Sequence, residues 1–260
     1  VLEGAIAPVC LMGPKPSATP KATLLQQLES WIPAVAPAGS FVYAWDEGAA
    51  DAAITARALA RVQLLAQHLD KAKILITREE DPNFNPYVDI YDPVLDQFRA
   101  PGRVQSYTKP YGLYTSCMAQ GNCQNTTSPR PPSGTPMMVL DAPGVHAFVF
   151  PQMVFQQGGL HALYFNGTQM LPTAWTNQYN EGGHGDGTQL YPGLGGTQGV
   201  SGQPVASVRL KILNEALSAL EYYALDPVFA KAELSKLIRT PYDWSKDYGS
   251  YQLIRNQIAS

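Results

Sequence analysis

Charge is scarce in this chain of 260 residues: only 15% are Asp, Glu, Lys or Arg, and the formal net charge is −3. A basic nucleic-acid footprint and an acidic disordered tail are both excluded, because each needs a concentrated excess of one sign. The balance suits a neutral or polar ligand. Histidine is nearly as rare, with four in the chain. His146, His161 and His184 are too scattered to read as a metal site, and a satisfied structural role is the default for each. No cofactor is expected either. Of three cysteines, Cys117 and Cys123 sit close together in a Gly-, Asn-, Thr-, Ser- and Pro-rich stretch where a small disulfide loop would fit, while Cys10 stands alone. A zinc site needs more ligands. No apolar run reaches the roughly 18 to 20 residues of a membrane helix, because Arg, Gln, His or Pro breaks every candidate. No initiator Met, basic n-region or apolar h-region opens the chain at Val1, which reads as a mature, processed or truncated product.

What is abundant points elsewhere. Hydrophobic content of 45% can fill a sizeable core, and 22 glycines, 22 prolines and 14 tyrosines suggest long ordered loops with aromatic surfaces suited to sugar rings. Two Asn-x-Thr sequons, at Asn125 and Asn166, are unremarkable as chance matches in a chain of this size and would matter only in a eukaryotic secretory protein; the lean is towards a secreted or otherwise extracytoplasmic location.

Residues Leu24, Leu25, Leu28, Trp31 and Ile32 recur at helical spacing. Residues 40–45 then read as a short aromatic strand that runs straight into Asp46-Glu47-Gly48. Ile54, Ala58, Val62, Leu65 and Leu69 form one helical stripe, and residues 73–77 a buried strand. Further strands are predicted at 87–91, 103–107 and 160–165, and helices at 145–157 and 205–224, with a possible short helix at 95–98. Residues 109–136 and 167–202 read as long excursions. Strands alternating with helices predict a parallel α/β sheet of about five strands, in one domain spanning 1–260. Function in such sheets gathers at the C-terminal strand ends, here Asp46-Glu47, Tyr91-Asp92, Tyr107 and Tyr164-Phe165-Asn166.

Two adjacent carboxylates at a strand end can divide acid and base duties, since each disfavours ionisation of the other. The plain alternative is that Asp46 or Glu47 caps the following helix. Asp186 can bind sugar hydroxyls or simply form a turn between two glycines. Tyr107 and Trp175 can serve as stacking platforms or as packing groups, and Arg209 can pair with a carboxylate on its helix.

Several segments occur in one order: Phe41 to Glu47, Val88 to Tyr91, Leu163 to Asn166, the run Gly185 to Gly193, and the helix opening Val205 to Lys211. From near Ser40 to the C-terminus this order resembles the catalytic domain of family-123 glycoside hydrolases, the β-N-acetylgalactosaminidases. Its most specific part is the Gly-Asp-Gly to Tyr-Pro-Gly run followed by a Ser-x-Arg helix ending in Glu221-Tyr222-Tyr223.

The resemblance implies a (β/α)8 TIM-type barrel of which only the later βα units are present, completed by a missing N-terminal segment or a partner chain. It implies a retaining, substrate-assisted glycosidase acting on a carbohydrate, in which the substrate's acetamido oxygen is the nucleophile. Glu47 would be the acid/base and Asp46 would orient the acetamido group. Tyr91, Tyr107, Tyr164, Asn166, Trp175 and Asp186 are the candidate substrate-binding residues. Tyr91 and Phe165 stand where the family pattern has Trp. A competing expectation is a non-catalytic carbohydrate-binding or assembly protein on the same scaffold.

Overall fold

The computed structural model describes residues 41–45, 52–68, 73–95, 107–116, 134–180, 183–193 and 202–260. The chain separates into two compact units, Val1–Pro93 with Ser106–Tyr111, and Val94–Gln105 with Gly112–Ser260. The helix predicted around residues 24–32, the strand segment 103–106 and the cysteine loop lie outside the described residues, as do Asp46 and Glu47.

The first unit holds strand β1 (Phe41–Trp45), helix α1 (Ala52–His68), β2 (Lys73–Ile76) and β3 (Ile90–Tyr91). The strands pair in parallel in the order β1-β2-β3, with Val42 opposite Ile74 and Leu75 opposite Ile90. Alternation along β1 buries Val42 and Ala44, which pack with Ala58, Val62 and Leu65 of α1 and with Ile74, Ile76, Phe84, Val88 and Tyr91. The helical stripe and the first two strands therefore follow the sequence expectation closely. The third strand is shorter than expected. Residues Asp81 to Tyr87 turn instead, with the Phe84 amide on the Asp81 carbonyl at 2.9 Å and the Tyr87 amide on that of Phe84 at 2.9 Å. Asp89 is drawn to the end of the sheet, where its Oδ2 accepts from the Ile74 amide at 2.8 Å.

The second unit contains β4 (Leu113–Thr115), α2 (Val145–Gln157), β5 (Ala162–Tyr164), a 3-10 turn (Leu171–Thr173), β6 (Tyr179–Asn180), β7 (Gly183–His184), β8 (Leu190–Tyr191), β9 (Val205–Ala206), α3 (Val208–Tyr223), α4 (Pro227–Leu237) and α5 (Tyr248–Ala259). β4 and β5 are parallel, whereas β6-β7 and β8-β9 are antiparallel pairs. β4 lies inside the stretch expected to be a loop, and three short pairs or turns order the Gly-rich excursion after residue 167. The helix expected from Val205 starts at Val208, because Val205 and Ala206 pair with β8 and the Ser207 hydroxyl caps the helix by accepting from the Leu210 amide at 3.0 Å. Helix α2 has the predicted bounds, carries Pro151 in its interior and ends on Gly158 at φ 85°, the left-handed conformation that glycine adopts freely. Phe148, Phe150 and Met153 of α2 are buried, as are Ala216, Ala219 and Tyr223 of α3, Leu234 of α4, and Tyr251 and Ile254 of α5.

The architecture is thus mixed α/β with parallel strand pairs and small sheets. The sheets of the described residues do not close, so an eight-stranded barrel is not displayed; the strands are only two to five residues long and two of the four sheets are antiparallel. No helix among the described residues is long and apolar enough to cross a membrane.

Candidate functional site

Parallel pairing brings the C-terminal ends of β1, β2 and β3 to one edge of the first unit. Trp45 ends β1, opposite Ile76 of β2. The amide and the hydroxyl of Thr77 both donate to the Trp45 carbonyl at 3.2 Å, and the Tyr43 hydroxyl lies 3.0 Å from Thr77 Oγ1. Asp46 and Glu47 follow Trp45 directly in the chain.

Beyond β2 the chain runs Arg78-Glu79-Glu80-Asp81. Arg78 pairs with Asp81, Nη2 to Oδ2 at 3.1 Å, and its guanidinium lies 4.3 Å above the centre of the Phe84 ring. Glu80 is the clasp of this edge. It accepts from Asn85 Nδ2 at 2.8 Å, from the Thr108 amide at 2.6 Å, from the Thr108 hydroxyl, and from the Lys109 amide at 3.4 Å. Partial burial works to raise its pKa, but these donors outweigh it and hold the carboxyl below its ordinary range.

The aromatic candidates of this unit sit beside the clasp. Tyr91 is fully buried, and its hydroxyl donates to Asn85 Oδ1 at 2.7 Å and to the Asp81 carbonyl at 3.3 Å. Burial pushes its phenol pKa well up. A ring with no exposed face orders the edge rather than presenting itself to a ligand. Tyr107 is half-buried, 6.5 Å edge-on from Tyr91 and 5.0 Å from Tyr111. Two donors at this edge, Trp45 Nε1 and Arg78 Nη1, are buried and have no acceptor among the described residues.

The remaining candidates belong to the second unit, where Tyr164, Asp186 and Arg209 form one network. Tyr164 ends β5 and donates its hydroxyl to Asp186 Oδ1 at 2.8 Å, while the Gly187 amide donates to the Tyr164 oxygen at 2.6 Å. Burial, reinforced by the Asp186 charge, raises the Tyr164 pKa. Asp186 is fully buried, so its carboxylate holds Tyr164 and the turn between two glycines.

Arg209 does not pair on the helix surface. It is buried, and among the described residues no carboxylate pairs with it. Instead Nη1 donates to the carbonyls of Met138 and Gly185, the latter at 2.6 Å, and Nη2 donates to that of Thr188 at 2.6 Å. Glycine is required where this guanidinium passes. Gly185 has φ 74°, and a Cβ there would lie 2.6 Å from Nη2.

Asn166 and Trp175 are placed differently. Asn166 makes a local turn, its Oδ1 accepting from the amides of Gly167 at 2.7 Å and Thr168 at 2.9 Å. Trp175 is 36% exposed, meets the Tyr191 ring at a tilt of 47° with centroids 4.8 Å apart and donates Nε1 to the Pro192 carbonyl at 2.7 Å, so part of the indole stays open to solvent. No group of three or more His, Cys, Asp or Glu residues suited to a metal ion occurs among the described residues.

Sequence reasoning missed Arg78 and the Glu80 clasp. The strand-end rule could have found Arg78, which stands two residues past β2; the clasp joins residues 28 positions apart and leaves no local signature.

No family model and no curated protein matches the chain. Among solved structures, thirteen chains match. One is a family 123 glycoside hydrolase from Clostridium perfringens, a structure that addresses the details of glycolipid glycan hydrolysis. Identity is 16% and the TM-score 0.52, with 94% of this chain and 46% of that one covered. The likeness is one of fold, and this chain spans less than half the length of that protein.

Proposed function

We propose that the chain is the later part of a (β/α)-barrel glycoside hydrolase, completed by an upstream segment or a partner chain, that cleaves β-linked N-acetylhexosaminides, most naturally N-acetylgalactosaminides. The observation that carries this reading is the parallel register of β1, β2 and β3, which brings the end of β1, the residue before Asp46-Glu47, to the same edge as the ends of its two neighbours. Active sites of such sheets collect at that edge. The fold of the Clostridium perfringens hydrolase, a protein that acts on glycolipid glycans, supports the same reading. Secretion fits a glycan-cleaving role.

In this mechanism the 2-acetamido oxygen of the substrate attacks the anomeric carbon. Glu47 protonates the glycosidic oxygen and then activates water, while Asp46 orients the acetamido N–H and offsets the positive charge that develops on the oxazolinium-like intermediate. Substrate-assisted enzymes of this kind need no second carboxylate at nucleophile distance. Within the second unit, the Tyr164-Asp186-Arg209 network stiffens the Gly-rich segment.

The test is hydrolysis of an aryl β-N-acetylgalactosaminide beside the matching galactoside, using the protein with its upstream segment. The acetamido sugar should be cleaved and the galactoside spared. Glu47→Gln should slow poor leaving groups most, and Asp46→Asn should slow all substrates by on the order of a hundredfold. Equal cleavage of both sugars excludes the mechanism. Binding without turnover, unchanged in the double variant, assigns the chain to a carbohydrate-binding scaffold instead.

A further inference from the structure

We infer that the indole N–H of Trp45 and the free guanidinium N–H of Arg78 form a donor pair that receives an uncharged, hydroxyl- or amide-bearing group of the ligand; this deepens the proposed function and rests on the strand-end site it invokes. Both atoms are buried, and neither has an acceptor among the described residues. A buried polar group left unmade is expensive, on the order of 1–3 kcal/mol, and such groups are uncommon in folded proteins. Two of them at one end of adjacent strands, on a sheet where ligands are expected, point to an acceptor that arrives from outside.

The surroundings fix the chemistry of that acceptor. Arg78 is held rigidly, with Phe84 against its face and Asp81 on Nη2, so Nη1 is directed rather than free to swing. Its charge is already offset. The segment Arg78-Glu79-Glu80-Asp81 carries one positive and three negative side chains, which disfavours a carboxylate or sulfate ligand. Trp45, Tyr107 and Tyr111 pack around the same core cluster, Arg78 lies over its Phe84, and Tyr107 and Tyr111 are half-buried, so the cluster that carries the donors also carries partly open aromatic surface. Polar donors beside aromatic rings, without net positive charge, match a neutral sugar.

The prediction about stability has an unusual sign. Removing a donor that has an internal partner destabilises a protein, whereas removing an orphaned one does not. The protein with its upstream segment is therefore prepared in wild-type form, as Arg78→Lys, as Trp45→Phe, and with benzothienylalanine at position 45, which keeps the bicyclic ring and replaces N–H by sulfur. Each is melted without sugar and titrated calorimetrically with N-acetylgalactosamine, galactose and galacturonate. The benzothienyl protein should melt no lower than wild type, whereas Arg78→Lys also gives up the fork geometry on Asp81 and Phe84 and is read by binding alone; both should bind the neutral sugars about tenfold more weakly, the factor of one lost hydrogen bond. Wild type should bind galacturonate more weakly than galactose. A clearly lower melting temperature for the benzothienyl protein, undiminished binding by it, or preference for galacturonate overturns the inference, as does failure of wild type to bind any of the three. Binding with the expected pattern but without turnover of aryl glycosides leaves it standing and sinks only the hydrolase reading.

Discussion

Arg209→Met should be among the most damaging single substitutions in the second unit, although Arg209 makes no ion pair among the described residues. The side chain is buried at 5% exposure, and its two terminal nitrogens serve three carbonyls, from Met138, Gly185 and Thr188. Methionine has similar length and no donors. Three buried carbonyls would then lose a charged donor, each loss costing about 1.5–3 kcal/mol, while relief from burying a guanidinium returns part of the sum. A net loss of roughly 3–5 kcal/mol is expected, a large share of the stability of an ordinary domain. Arg209→Lys should recover only part of it, because one ammonium cannot span carbonyls that a planar fork reaches from two nitrogens. Gly185→Ala provides the companion test from the other side of the contact: its Cβ would sit 2.6 Å from Nη2, on backbone at φ 74°. The two substitutions meet at one contact, so in the double variant their costs should fall short of additivity. Urea unfolding followed by near-ultraviolet circular dichroism measures all four proteins. A loss below about 1 kcal/mol for Arg209→Met, or full additivity with Gly185→Ala, would refute the claim that this guanidinium holds the loop.

Tyr164→Phe keeps the ring and removes the hydroxyl that links Gly187 to Asp186, so it should cost about 1–3 kcal/mol by leaving part of a buried carboxylate unsatisfied; an unchanged unfolding midpoint would contradict that role. His146 accepts a hydrogen bond from the Met137 amide at 3.1 Å, packs edge-on to Trp244 at 4.7 Å and faces Lys246, and burial together with the Lys246 charge lowers its pKa to about 4. The unfolded chain therefore takes up this proton first as pH falls, so stability is intact above about pH 6.5 and declines between there and about pH 4, by on the order of 1–2 kcal/mol after allowance for partial exposure. His146→Gln should remove that part of the acid sensitivity when melting temperatures at pH 5 and pH 7.5 are compared, and an identical pH dependence would count against it.

Local patterns in the sequence were sufficient for the elements whose burial is periodic. The stripe Ile54 to Leu65 is readable as a helix because one face repeats every 3.6 residues, and α2 is readable because Gly158 ends it. The strand leading to Asp46-Glu47 is equally legible, since Val42 to Trp45 alternates burial along β1. Strand β4 was not legible: three residues carry too short a pattern, and what makes them a strand is pairing with β5, almost fifty positions away. The same holds for side-chain roles. Composition marks Tyr91, Asp186 and Arg209 as polar or aromatic groups near strand or helix ends, but only the tertiary structure turns Tyr91 inward onto Asn85, spends Asp186 on Tyr164 and points Arg209 at three carbonyls. A hydrogen bond depends on where two distant segments meet, and burial decides whether a polar group faces a ligand or the interior. The sequence alone could name which residues carry chemistry; the packing of the chain decided which of them are engaged inside it and which donors, Trp45 Nε1 and Arg78 Nη1 among them, have no partner among the described residues.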